Sequence, residues 1–111
     1  MRVATALSVL LVSCTAQKTE RWESSTIDGR RARGFTLAIR GDEVIGGHDG
    51  CNGWGISENP DLIVMEAQEC PPDPARDAYW ILARGKETSY SPQGDKLVAR
   101  GGPHIGLFIR G

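Results

Sequence analysis

No stretch of this 111-residue chain holds the roughly 20 consecutive apolar residues that a membrane-spanning helix requires. There is no basic excess either: 13 Lys and Arg stand against 14 Asp and Glu. Nucleic-acid binders normally carry such an excess to neutralise phosphates, so that class of function is disfavoured. The glycine-rich stretch 46–55 is followed by no P-loop lysine, and phosphoryl transfer is not suggested. Cysteine is scarce, at three residues, and lacks the close paired spacing of structural zinc sites. The length leaves room for one domain, and no internal repeat divides it. Glycine is abundant, at 14 residues, with 6 prolines. That punctuation suits short strands with tight turns better than a helical bundle.

The first residues carry a different signal. Arg2 precedes about ten apolar or small residues, a secretory signal pattern rather than a buried strand. Leu11-Val12-Ser13-Cys14 then resembles the bacterial lipobox, in which the cysteine receives diacylglycerol and becomes the new N-terminus. The expectation is a signal peptide over residues 1–13, lipidation at Cys14 and a tether over 14–20. Removing 13 residues from 111 leaves 98, with 12 basic and 14 acidic side chains. Thr15 stands where Asp would favour inner-membrane retention, so the periplasmic face of the outer membrane is the expected location. Acyl chains, at about 0.8 kcal/mol per buried CH₂, would hold the protein there.

The mature chain, 21–111, reads as hairpin, strands, one helix and a terminal β-meander. A first strand holds Trp22, and Asp28-Gly29 turns into a basic loop of Arg30, Arg31 and Arg33. Phe35, Leu37 and Ile39 share one face of a strand that Gly41-Asp42 turns back into 43–47. Leu62-Ile63-Val64-Met65 is strongly β-prone and expected to be well buried. Asp73 and Pro74 open a helix with Ala75, Ala78, Tyr79 and Leu82 inward, and Gly85 stops it. Strands are expected over 86–90 and 96–100, and a last one with Ile105, Leu107 and Ile109 on one face. The fold class is α+β, a curved and mainly antiparallel sheet with one helix packed against it.

Trp22 before Ile27-Asp28-Gly29, the strand from Phe35, and Gly47-His48-Asp49-Gly50-Cys51-Asn52 resemble the META domain family, which includes the HslJ-like lipoproteins. Cys70 ahead of the helix and the final Leu107-Phe108-Ile109-Arg110 extend the resemblance over nearly all of 22–110. It implies a small α+β domain, often lipid-anchored, without established catalysis. Glu66 and Gln68 stand where the family often has Thr and Met. Arg76 stands three residues before Tyr79, where a Glu is usual.

With Cys14 committed, Cys51 and Cys70 in an oxidising envelope are naturally read as a disulfide; two free buried thiols, or a metal site with His48, are the alternatives. Gly50, Cys51 and Asn52 read as a structural motif, with a ligand loop as the rival. His48, Asp49 and Ser57 are triad residue types, but a triad is recognised by geometry and not by composition. Arg30, Arg31 and Arg33 read first as an exposed solvated loop, with contact to an anionic polymer or lipid headgroup as the functional alternative; Trp54 and Trp80 read first as core or rim, with Trp54 also a candidate binding residue. The expectation is a monomeric, non-enzymatic envelope lipoprotein without metal or cofactor. It would bind an envelope protein or polymer, or act in stress protection. A small inhibitor of an exogenous enzyme, such as a lysozyme or protease, is the alternative, and it requires an exposed loop at 50–55. If Cys14 carries the anchor, Cys14→Ser releases the protein from sedimented membranes or leaves it unprocessed; unchanged pelleting and maturation would refute the anchor.

Overall fold

Alternating apolar residues build an open antiparallel sheet, and its inner face is covered by one helix. A computed structural model describes residues 18–58 and 62–111. The signal segment, Cys14 and most of the tether lie outside the described residues. The strands are β1 (Thr19–Ile27), β2 (Arg30–Arg31), β3 (Phe35–Arg40), β4 (Glu43–Asp49), β5 (Gly53–Ile56), β6 (Ile63–Met65), β7 (Ser89–Gln93), β8 (Lys96–Gly101) and β9 (His104–Arg110). The helix α1 (Pro74–Arg84) comes between β6 and β7. The sheet order is β6-β5-β4-β3-β1-β9-β8-β7, with β2 beside β1. Every neighbouring pair is antiparallel. The fold class is therefore α+β as expected, although the sheet is open and uncurled where curvature was expected.

The period-2 pattern places Phe35, Leu37 and Ile39 of β3, Leu97 and Ala99 of β8, and Phe108 of β9 on the buried face. Helix α1 lays Ala78, Tyr79, Leu82 and Ala83 on them. Ala75 is half-buried at the margin of the same core. The Asp73 carboxylate accepts from the Ala75 N–H at 2.9 Å, and Pro74 occupies the first turn, where its missing donor costs nothing. At the other end the Gly85 N–H and the Thr88 hydroxyl both donate to the Ile81 carbonyl. The Tyr90 hydroxyl donates to the Leu82 carbonyl at 2.6 Å. The orphan carbonyls of the last turn are thus met from the chain that follows.

Four expectations need correction. Leu62, Ile63, Val64 and Met65 are exposed, not buried. β6 is an edge strand, and β-propensity does not distinguish an edge from a centre. Thr19 and Glu20, read as tether, pair with Arg40 and Ile39 at the start of β1. Arg30 and Arg31 are the return arm of a hairpin, facing Ile27 and Thr26, rather than a loop. Residues 86–88 complete the helix end, so β7 begins only at Ser89. Ile105, Leu107 and Ile109 share one face as expected; it is the outer one, and Gly106 and Phe108 point to the core.

Helix and sheet meet most tightly at Gly47. Its missing side chain leaves space for the Tyr79 hydroxyl to reach the Thr36 carbonyl at 2.5 Å. A Cβ on Gly47 would fall inside contact distance of both that carbonyl and that hydroxyl. Neither the backbone nor the packed helix yields cheaply. Gly47→Ala is therefore expected to cost at least about 3 kcal/mol, which sets it among the severe core substitutions. A thermal melt of the variant within a few degrees of the parent would contradict this packing.

A candidate functional site at the end of strand β4

The segment from Asp49 to Trp54 turns β4 into β5, and its polar atoms converge on one buried carboxylate. Asp49 is only 3% exposed. Its Oδ1 accepts from the backbone N–H of Cys51 at 2.9 Å and of Asn52 at 2.6 Å. Its Oδ2 accepts from the Trp80 indole N–H at 3.1 Å, which ties the turn to α1. Burial pushes the Asp49 pKa up. The two backbone donors, the indole and the nearby Arg76 charge outweigh that and hold it below the ordinary aspartate value.

Asn52 fastens a second segment. Its Nδ2 donates to the Gln68 carbonyl at 3.0 Å and its Oδ1 accepts from the Gln68 N–H at 3.1 Å. The side chain thus imitates a strand partner for a residue 16 positions away. Glu66 closes the same seam: its carboxylate accepts from the Gly53 N–H, and its own N–H donates to the Gly53 carbonyl. Cys51 and Cys70 are joined by a disulfide, with Cα atoms 6.2 Å apart. This fulfils the paired reading over free thiols or a His48 metal site. Gly50 has φ +89°, and a Cβ there would meet the Phe35 ring, so both conformation and space call for glycine.

Trp54 is buried at 7% exposure, and its indole N–H donates to the Tyr79 hydroxyl at 2.8 Å. The core reading of Trp54 holds, and its alternative role as a binding ring is corrected: packing against Trp80, at 5.1 Å between ring centroids, takes the surface a ligand would use. The Tyr79 hydroxyl donates onward to Thr36, and burial drives its pKa far above the usual tyrosine value. His48 and Asp49 are neighbours in β4 and so face opposite sides of the strand. The Gly50 N–H donates to His48 Nδ1 at 3.1 Å, while the Asp49 carboxylate is occupied by other donors. Among the described residues, His48 and Asp49 therefore do not form the acid–base pair of a relay. Among the described residues no group of three or more His, Cys, Asp or Glu side chains gathers to hold a metal.

The arginines lie elsewhere. Arg30, Arg31 and Arg33 are exposed, and none forms a salt bridge among the described residues. Arg31 and Arg33 line a cleft of about 520 Å³ with Ser24, Ser25, Thr26 and Arg110; Glu23 and Ile109 complete it. Arg110 is paired with Glu20 and lies over the Trp22 ring. Sequence reasoning missed the Asp49 hub and the roles of Glu66, Gln68 and Tyr79. Only Asp49 had a local signal, since an Asp ahead of a glycine often bonds backbone N–H groups two and three residues on. No protein-family model, curated protein or solved structure matches the chain.

Removing the Asp49 charge weakens three bonds to buried donors. Asp49→Asn is expected to cost about 2–3 kcal/mol and Asn52→Ala about 1–3 kcal/mol. Each kcal/mol lowers the melting temperature by roughly 4–8 °C in a domain of this size. Because the Asp49 pKa is depressed on folding, its contribution is complete above the unfolded-state value near 4. It is lost as the pH falls through the folded-state value. The acid limb of a stability–pH profile should therefore flatten in Asp49→Asn. Parent-like melting of both variants, at neutral and acid pH, would show that the turn is not the scaffold described here.

Proposed function

We propose that this is a lipid-anchored envelope domain of the META/HslJ-like kind. It acts by binding, without catalysis, at the periplasmic face of the outer membrane. The lipobox-like segment and the residues that resemble the META family support the class and the location. The binding reading rests on one observation: Arg31 and Arg33 are exposed, without anionic partners among the described residues, and line one cleft with Ser25 and Thr26, while Arg30 is exposed next to them in the chain. Guanidinium groups and hydroxyls together suit phosphate or carboxylate groups, as on a lipid headgroup or an acidic envelope polymer. The alternative of an enzyme inhibitor needs a projecting loop at 50–55. There Asn52 and Trp54 are buried and the polar groups are satisfied internally, which weighs against it.

A basic side chain near an anionic surface contributes about 1 kcal/mol. Arg30→Ser, Arg31→Ser and Arg33→Ser together should then weaken binding of the residue 18–111 domain to vesicles containing anionic lipid by roughly two orders of magnitude. Zwitterionic vesicles should bind neither form, and added salt should abolish the difference. Equal binding of parent and triple variant to anionic vesicles and to an acidic polysaccharide would overturn the proposal.

A further inference from the structure

The two edges of the sheet are unlike. At one, β7 carries Pro92, which withholds a backbone donor, among Ser89, Ser91 and Gln93. At the other, β6 and the residue before it read Leu62-Ile63-Val64-Met65, without charge or proline, and all four are exposed. Natural edges are usually blunted by charge, proline or a bulge, and β6 has none of these.

Its backbone geometry is specific. The Ser57 N–H donates to the Leu62 carbonyl, and the Glu66 N–H donates to the Gly53 carbonyl. Between them the register pairs Ile56 with Ile63, Gly55 with Val64 and Trp54 with Met65. Bonded and non-bonded pairs alternate along an antiparallel ladder. Leu62, Val64 and Glu66 therefore bond toward β5, while Ile63 and Met65 turn their N–H and C=O groups outward. Among the described residues no strand lies beyond them. Val64 faces Gly55, which has no side chain to cover it, and it is 64% exposed.

We propose that β6 pairs with β6 of a second copy of this chain, antiparallel across a two-fold axis at Val64. In an antiparallel two-fold pair the outward groups of Ile63 must meet outward groups of the partner. Setting Ile63 opposite Met65 of the partner, and the reverse, satisfies all four outward N–H and C=O pairs. It stacks Val64 on its own copy and sets Glu66 opposite Leu62 of the partner. The like charges are kept apart and every central pair is apolar. The edge is thus complementary to itself, as an isologous interface requires. Three paired residues on each side make a small contact, so the association is weak and concentration-dependent. This inference rests on none of the arguments for the proposed function.

The register gives a direct test in the full chain. Val64 and its copy form a non-hydrogen-bonded pair with Cα atoms about 4.5 Å apart, close enough for a disulfide. Val64→Cys should give a disulfide-linked dimer on a non-reducing gel, absent from the parent chain with its native cysteines. Leu62→Cys, displaced four residues from its own copy, and Ile109→Cys, on the exposed outer face, should cross-link at least tenfold less. Adding Met65→Pro to Val64→Cys removes one outward donor while leaving the bonds to β5. It should suppress the cross-link without abolishing the cooperative melt. No cross-link through Val64→Cys at any concentration, or equal cross-linking through Ile109→Cys, would overturn the proposal. So would retention of the link with Met65→Pro in a folded protein.

Discussion

Asp49 brings a carboxylate into the interior, where water cannot solvate it, and the surrounding chain is arranged to supply the missing donors. Two donors come from the backbone immediately after it, which forces 49–52 into a tight turn and places Gly50 in a left-handed conformation. The third comes from Trp80 on the helix, which fixes how α1 lies across the end of β4. Once Trp80 is set there, its ring packs on Trp54 and on the edge of Tyr79, and Tyr79 lies against Phe35. The Tyr79 hydroxyl then joins Trp54 to Thr36 through the gap above Gly47. The polar turn and the aromatic layer are one construction, and displacing the carboxylate would leave buried donors at several points together.

A second acid does related work at the same end of the sheet, where β1 ends. Asp28, at φ 53° in the β1–β2 turn, accepts from the Ile105 N–H at 3.0 Å and meets His104 at 2.7 Å. Its own N–H donates to the Ile105 carbonyl. Partial burial raises its pKa, but the Ile105 and His104 contacts outweigh this and lower it. This carboxylate is largely solvated, so its contribution is smaller than that of Asp49 and more easily screened by salt. The two turns that begin with an acid, Asp28-Gly29 and Asp49-Gly50, thus each tie the chain to a distant element, β9 in one case and α1 in the other.

Much of this fold was legible because its signals are local. The alternation of Phe35, Leu37 and Ile39, the Asp73-Pro74 helix start and the Gly41-Asp42 turn depend on neighbours within a few residues. What escaped depends on sequence-distant partners. The apolar run 62–65 looked like a core strand because composition cannot show that Gly55 lies opposite Val64 and that, among the described residues, no strand lies beyond Met65. Trp54 could be read as core or rim, but its bond to Tyr79, 25 residues away, could not be read. Glu66 and Gln68 were noted only as departures from a family pattern. Their roles appear once the chain after β6 is seen to return along Asn52 and Gly53.

The return segment is held twice, and the two devices act on different states. The disulfide, with a sequence separation of 19, restricts the unfolded chain and contributes about 3 kcal/mol by loop-closure reasoning. The paired bonds of Asn52 to Gln68, and of Gly53 to Glu66, act only in the folded protein. Reduction would thus lower overall stability without releasing the segment from its native place, because the amide and carboxylate contacts need no sulfur bond. Loss of Asn52 would free the segment locally while the disulfide still limited its excursion. The covalent staple therefore sets how much of the protein is folded, and Asn52 sets where residues 66–70 lie when it is. The helix start at Asp73 follows only three residues after Cys70, so that placement is carried directly into the packing of α1 against the sheet.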